Sequence, residues 1–221
     1  MRAAATVTRK LRALTLMLAG LLAACQSTES LHRKAQSGDA AACYNYARHL
    51  IDNPTAHPQA TAEACTWLEK ASDAGSRNAP ALLGALYATG HGIPADYSKA
   101  IHYLSIASDR DHPRAQLLLA LLYAKGKGTT MAPHKAAEHI RYAAMQGSPA
   151  AALLMFYCFY DGFGVRKTPE LAYGWLQNAA DYGSTDAQKL LVTLISDPNS
   201  EKFNQEINFL RKKLDFFPQN R

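Results

Sequence analysis

The chain repeats itself every 36 residues, with no insertion between residues 39 and 195, and nothing else in it constrains the fold so tightly. Gly90, Gly126 and Gly162 keep this spacing, and so do Gly92, Gly128 and Gly164. Gly75, Gly147 and Gly183 follow the same register, with Asp111 standing where a glycine is missing. Ala64, Ala100, Ala136 and Ala172 form one column, and Ala71, Ala107, Ala143 and Ala179 form another. Leu68, Leu104, Ile140 and Leu176 keep a third column apolar. Trp67, Tyr103, His139 and Trp175 keep a fourth large and mostly aromatic.

Each unit reads as a helical hairpin. Ala79, Leu83, Leu86 and Tyr87 lie on one face of a first helix, helix A. Gly90 follows where a helix end takes a left-handed residue, and Gly92 lets the chain turn back tightly. Asp96 and Thr168 stand at the N-cap of the second helix, helix B, and Pro169 suits its first turn. Helix B then carries Ala100, Tyr103, Leu104 and Ala107 on one face. Alanines at two of these four positions allow close approach, and the aromatic residue fills the space between neighbouring units. One hairpin cannot bury both of its faces, so the units must stack.

The run from Ala79 to Ile93, Ala-x-x-x-Leu-Gly-x-Leu-Tyr-x-x-Gly-x-Gly-Ile, followed by Asp96-Tyr97-Ser98-Lys99-Ala100, resembles the Sel-1-like repeat. That repeat is a 36-residue relative of the tetratricopeptide repeat. The resemblance implies an all-α, right-handed solenoid of antiparallel helix-hairpin repeats with short capping helices. It places four repeats and a fifth helix A in residues 39–196. The first unit departs from the pattern, because Asp52-Asn53-Pro54-Thr55-Ala56-His57-Pro58 replaces its Gly-x-Gly turn. Before the array, Leu31 to Ser37 is expected to form a short leading helix. After it, residues 197–221 are expected to form a capping helix and tail, with Ser200 as N-cap and Phe203, Ile207, Leu210 and Leu214 on one face.

The first 24 residues read as an export signal. Arg2, Arg9, Lys10 and Arg12 precede an uncharged stretch from Ala13 to Ala24, too short for a spanning helix of roughly 20 residues. The stretch ends in Leu22-Ala23-Ala24-Cys25, which resembles the bacterial lipobox. That resemblance implies lipidation of Cys25, cleavage just before it, and a membrane anchor through the lipid, residues 25–38 being tether and leading helix. Gln26, in place of Asp, implies the outer membrane with the protein facing the periplasm. The formal charge of +6 loses its significance with this segment. It holds four of the 24 basic residues and none of the 18 acidic ones, so the remainder carries only +2. Nucleic acid is not an expected partner.

No catalytic constellation is present. The chain has no His-Glu-x-x-His, Gly-x-Ser-x-Gly, Ser-x-x-Lys or P-loop sequence. Some cysteine-rich relatives of the repeat are linked to penicillin binding, and the missing Ser-x-x-Lys speaks against that activity here. The Gly-x-Gly pairs are repeat turns and lack the preceding strand of a dinucleotide site. Among the eight histidines, His134 and His139 are five apart, and His102 and His139 could meet across adjacent B helices. Because His139 stands in the Trp67/Tyr103/Trp175 column, a packing role is expected over metal ligation. Beyond Cys25, the thiols Cys43, Cys65 and Cys158 are expected to stay unpaired as small apolar core groups. The geometry of the hairpin holds Cys43 and Cys65 farther apart than the roughly 7 Å a disulfide spans between Cα atoms. No metal, cofactor or small-molecule substrate is expected, nor enzymatic activity.

One departure from the repeat points to function. On helices A of the third and fourth units Leu117, Leu121, Leu153, Phe156, Tyr157 and Tyr160 are apolar, where the first unit has Asn45, Arg48 and His49. Related solenoids dock peptides or helices on this face, so the stripe is the candidate partner-binding surface unless curvature or a returning C-terminal helix buries it. The resemblance therefore implies an anchored scaffold that presents a concave surface to another envelope protein. A cell-wall ligand-binding protein or hydrolase of the penicillin-binding or β-lactamase kind is the alternative, as is a secreted effector that binds host proteins.

Overall fold

The computed structural model describes residues 28–53, 59–196, 201–214 and 216. The export segment, Cys25 and Gln26, the 54–58 stretch of the first turn, and Ser200 lie outside the described residues. Within the described residues the chain is all helix, without a strand. It is an α solenoid of helical hairpins. Two compact units can be distinguished, one ending at Ala79 and one starting at Pro80.

The first unit holds α1 (28–36), α2 (Ala40–Asp52) and α3 (Ala60–Asp73). The leading helix thus starts three residues before the expected Leu31. Asp39 caps α2 by accepting the Ala42 amide at 2.6 Å. α1 is pinned to this hairpin at two points. Ala35 is buried, and its carbonyl accepts the Cys43 thiol at 3.2 Å. His32 lies 4.7 Å from the Tyr46 ring and meets Trp67 edge-on at 5.5 Å.

The second unit holds α4 (Ala79–Thr89), α5 (Tyr97–Asp109), α6 (Pro113–Lys125), α7 (Pro133–Met145), α8 (Pro149–Asp161), α9 (Pro169–Asp181), α10 (Thr185–Ser196) and α11 (Glu201–Leu214). Helices pair along their length within the hairpins α6–α7 and α8–α9. Each helix B then packs on the next helix A, as α5 does on α6 and α7 on α8. Both alanine columns are fully buried, and Leu104, Ile140 and Leu176 are buried between them. Burial of each of those three side chains contributes ~1.5–3 kcal/mol. Gly84 extends the rule of close approach, since a Cβ there would lie 2.7 Å from Leu104 Cγ.

The turns of the hairpins α4–α5, α6–α7 and α8–α9 are copies of one another. Gly126 and Gly162 end α6 and α8 with φ of 64° and 80°, and their amides bond the Leu122 and Cys158 carbonyls. The amides of Asp96, Ala132 and Thr168 then return to the carbonyls of Tyr87, Tyr123 and Phe159 at 2.9–3.0 Å. The second glycine of each pair does more than turn the chain. A Cβ on Gly128 would fall 2.5 Å from Tyr97 Cβ, and one on Gly164 would be driven into the Pro133 carbonyl oxygen. Tyr97 and Pro133 open the preceding helices B, so each turn rests on the unit before it. Asp111 does take the left-handed conformation of the glycine it replaces, at φ 55°. Asp96 caps α5 as expected, accepting the Lys99 amide at 3.0 Å. Thr168 sits at the N-cap of α9 without capping it, because its hydroxyl is turned to the Arg166 carbonyl at 3.1 Å.

Two left-handed glycines separate these effects. Gly147→Ala, at φ 81° with open space around the new Cβ, carries the backbone cost alone, roughly 1–2 kcal/mol. Gly164→Ala adds a collision with backbone, for a total of roughly 2–5 kcal/mol. Urea denaturation of both variants should rank them in this order. Equal losses would show that the turn does not rest on the preceding unit.

Candidate protein-binding groove

Equivalent positions of the array report on what lies over the helix A face. Leu117 and Leu121 on α6 correspond to Leu153 and Tyr157 on α8, and to Lys189 and Thr193 on α10. On α6 the pair is half-buried, as a face open to solvent should be. On α8 both residues are buried, and so is Phe156 between them. Leu153 and Tyr157 are thus more enclosed than their equivalents on α6. Ile207, Leu210 and Phe216 are buried in the same continuous core as Leu153, Phe156 and Tyr157. On α10 the Thr193 hydroxyl, equivalent to Tyr157, lies 3.2 Å from Glu206 Oε2 of α11. The C-terminal helix therefore packs on the helix A face of α10.

This corrects half of the expected surface. Leu153, Phe156 and Tyr157 are core residues, with Phe156 and Tyr157 in an edge contact at 4.9 Å between ring centroids. Leu117, Leu121 and Tyr160 remain half-exposed beside them. Tyr160 stacks obliquely on Phe156 at 5.3 Å and carries the Lys167 ammonium 5.7 Å above its ring. The open part of the groove is thus an apolar strip on α6 with an aromatic and cationic border from α8. Repeat position alone could not reveal the covering helix, which lies outside the period. The amphipathic pattern of Ile207 and Leu210 was visible, whereas Glu206 and Phe216 carried no signal.

His139 and the three thiols act as packing groups. His139 lies parallel to the Tyr123 ring at 5.7 Å, with its Nδ1 3.5 Å from the Ser108 hydroxyl. Tyr87 and Tyr103 stack in the same way one unit earlier, at 6.0 Å. Desolvation lowers the His139 pKa, against the raising influence of the Glu138 and Asp109 carboxylates and with a lesser lowering by Lys135. His102 turns to Tyr103 at 5.0 Å, and His134 Nδ1 lies 3.2 Å from the Gly164 carbonyl. Among the described residues, no three His, Cys, Asp or Glu side chains are grouped as metal ligands. Cys43, Cys65 and Cys158 are buried and outside any disulfide, and burial pushes Cys158 up to about 12, far from a reactive thiolate.

The repeat and its fold have known counterparts. The family model of the Sel1 repeat matches residues 40–76, 80–112, 113–148 and 149–184. The structure is similar to c5321, a protective antigen of uropathogenic Escherichia coli strains displaying an SLR fold, with 27% identity and a TM-score of 0.70. That match covers 76% of this chain but only 36% of the antigen. A Sel1 repeat protein from Oxalobacter formigenes shares the fold with a TM-score of 0.69 at 23% identity, over 84% of this chain and 78% of the other. No curated protein matches the chain in sequence.

The lowered pKa of His139 has a testable sign. Below the ordinary histidine value near 6.5, the unfolded chain binds this proton more readily than the folded one. Stability is therefore level above that value and falls as the pH drops through it. His139→Tyr restores the residue type of Tyr103 and should reduce the loss of thermal midpoint between about pH 7.5 and 5.5. An unchanged pH dependence would locate the linked proton elsewhere.

Proposed function

From the premise that the chain belongs to the Sel1 repeat family, whose members are generally protein–protein interaction scaffolds, we propose that it is a lipid-anchored scaffold of the bacterial envelope. It holds a partner envelope protein on its helix A face. The observation that carries this reading is the apolar strip of Leu117 and Leu121, half-exposed on a face that at Thr193 of α10 already accommodates a helix. Chemistry would need converging acid, base or nucleophilic groups, and the groove presents leucine and tyrosine instead. The anchor is supported by Leu22-Ala23-Ala24-Cys25 behind a basic and an apolar segment. Attachment at Cys25, outer-membrane sorting through Gln26 and a periplasmic orientation belong to the same proposal.

In-cell crosslinking, affinity capture and mass spectrometry test the scaffold. One envelope protein should be captured by the natural chain and lost, by about ten-fold or more, with Leu117→Glu and Leu121→Glu, a loss of ~1.4 kcal/mol or more. Both residues are half-exposed, so the fold tolerates these changes. Retention of cell-wall fragments with no protein partner would replace the scaffold with a ligand-binding protein.

Cys25→Ser tests the anchor separately. It should abolish incorporation of labelled palmitate and move the protein from the membrane fraction to the soluble one. Continued labelling would place the lipid elsewhere, and membrane retention without label would mean an uncleaved signal.

A further inference from the structure

A helix that only closes the array would cover the open flank of the last hairpin, where the next unit would have stacked. α11 leaves that flank bare. Val192 on α10 is 65% exposed, although its equivalents Phe156 and Ala120 are fully buried in the column whose Gly84 lies against Leu104 of its own helix B, so α11 does not take the place of a helix B on α10. Ile195, one turn further, is 81% exposed, and Phe209 of α11 itself points into solvent at 66%. The apolar residues Ile207 and Leu210 of α11, with Phe216 beyond it, are instead spent on the core that includes Leu153, Phe156 and Tyr157. α11 thus lies where a bound helix would lie, and leaves uncovered what a cap should cover.

We propose that α11 is a displaceable internal ligand of the groove, and that the partner presents an amphipathic helix of the same pattern. This rests on the helix A face being the binding surface. The pattern is two aliphatic residues three apart, as Ile207 and Leu210, with a carboxylate just before the first, as Glu206 toward Thr193. A tethered segment acts at an effective concentration on the order of mM, so a partner with the same contacts alone would not dislodge it. The partner helix gains its advantage by running on to Leu117, Leu121 and Tyr160, which α11 leaves half-exposed. The groove is then closed to weak amphipathic segments and opened by a longer one.

The test uses the full-length protein and a fluorescent peptide of residues 201–216 as probe. In the natural chain, hydrogen exchange of α11 amides should be about ten-fold or more faster than that of α8 amides, because α11 opens without the array. Exchange of both at one rate would overturn the proposal, since α11 would then be an integral part of the fold. In Ile207→Asp/Leu210→Asp, where α11 is released, the peptide should bind saturably, at least about ten-fold tighter than to the natural chain. Adding Thr193→Arg to that variant should abolish binding. A released variant that keeps its helical content yet binds no peptide, or one that unfolds altogether, would overturn the proposal. So would equal peptide binding by the natural chain. Peptide binding without any protein captured in cells would sink the scaffold reading and leave the groove intact. A captured partner without peptide binding would sink displacement alone.

Discussion

The structure depends on how closely one backbone can approach another. Gly128 and Gly164 lie against the first residues of the preceding helices B at distances that exclude a Cβ. The alanine columns do the same along the helices, since a larger residue at Ala136 or Ala143 would push neighbouring units apart. These contacts fix the rise from one unit to the next, and with it the length of every turn. A single inserted residue would move all later columns out of register. The unbroken period of 36 residues is the sequence record of that limit.

Small residues at the contacts leave the larger ones to fill what remains. The aromatic column does this by stacking, Tyr87 on Tyr103 and Tyr123 on His139, with Lys99 and Lys135 above the outer tyrosine rings. His139 can replace a tyrosine because its neutral ring offers the same flat face, and desolvation favours that neutral form. Helix A positions that face neither neighbour are free to vary in chemistry without disturbing the stack. Asn45 and His49 in the first hairpin and Leu117 and Leu121 in the third show that freedom in use. A polar-to-apolar change there has no packing reason within the repeat.

Whatever repeats was legible in the sequence, because each unit meets the same surroundings. The helical hairpins, the buried columns, the left-handed place of Asp111 and the cap at Asp96 all follow from comparing one unit with the next. Local choices among near-equal hydrogen bonds were not legible, as Thr168 shows by turning to the Arg166 carbonyl. The candidate stripe was visible in the sequence, and its burial was not. Leu153, Phe156 and Tyr157 have the pattern of an exposed apolar stripe, yet they share one core with Ile207 and Leu210 of α11. Contacts between a repeat and a segment outside it leave no periodic trace.

The same comparison of equivalent positions separates a groove from an ordinary interior. A residue buried by the repeat itself should be buried in every interior unit, as Leu104, Ile140 and Leu176 are. Leu121 and Tyr157 break that rule, half-buried on α6 and fully buried on α8, in the core that also holds Ile207 and Leu210 of α11. Val192 breaks it in the opposite sense, exposed where Ala120 and Phe156 are buried, and marks the side on which α10 has no helix B. Burying apolar surface gains roughly 25 cal/mol per Å² wherever it occurs. α11 could have gained it on that open flank, but it lies on the helix A face. On the proposal above, the same preference would seat a partner's amphipathic helix on that face.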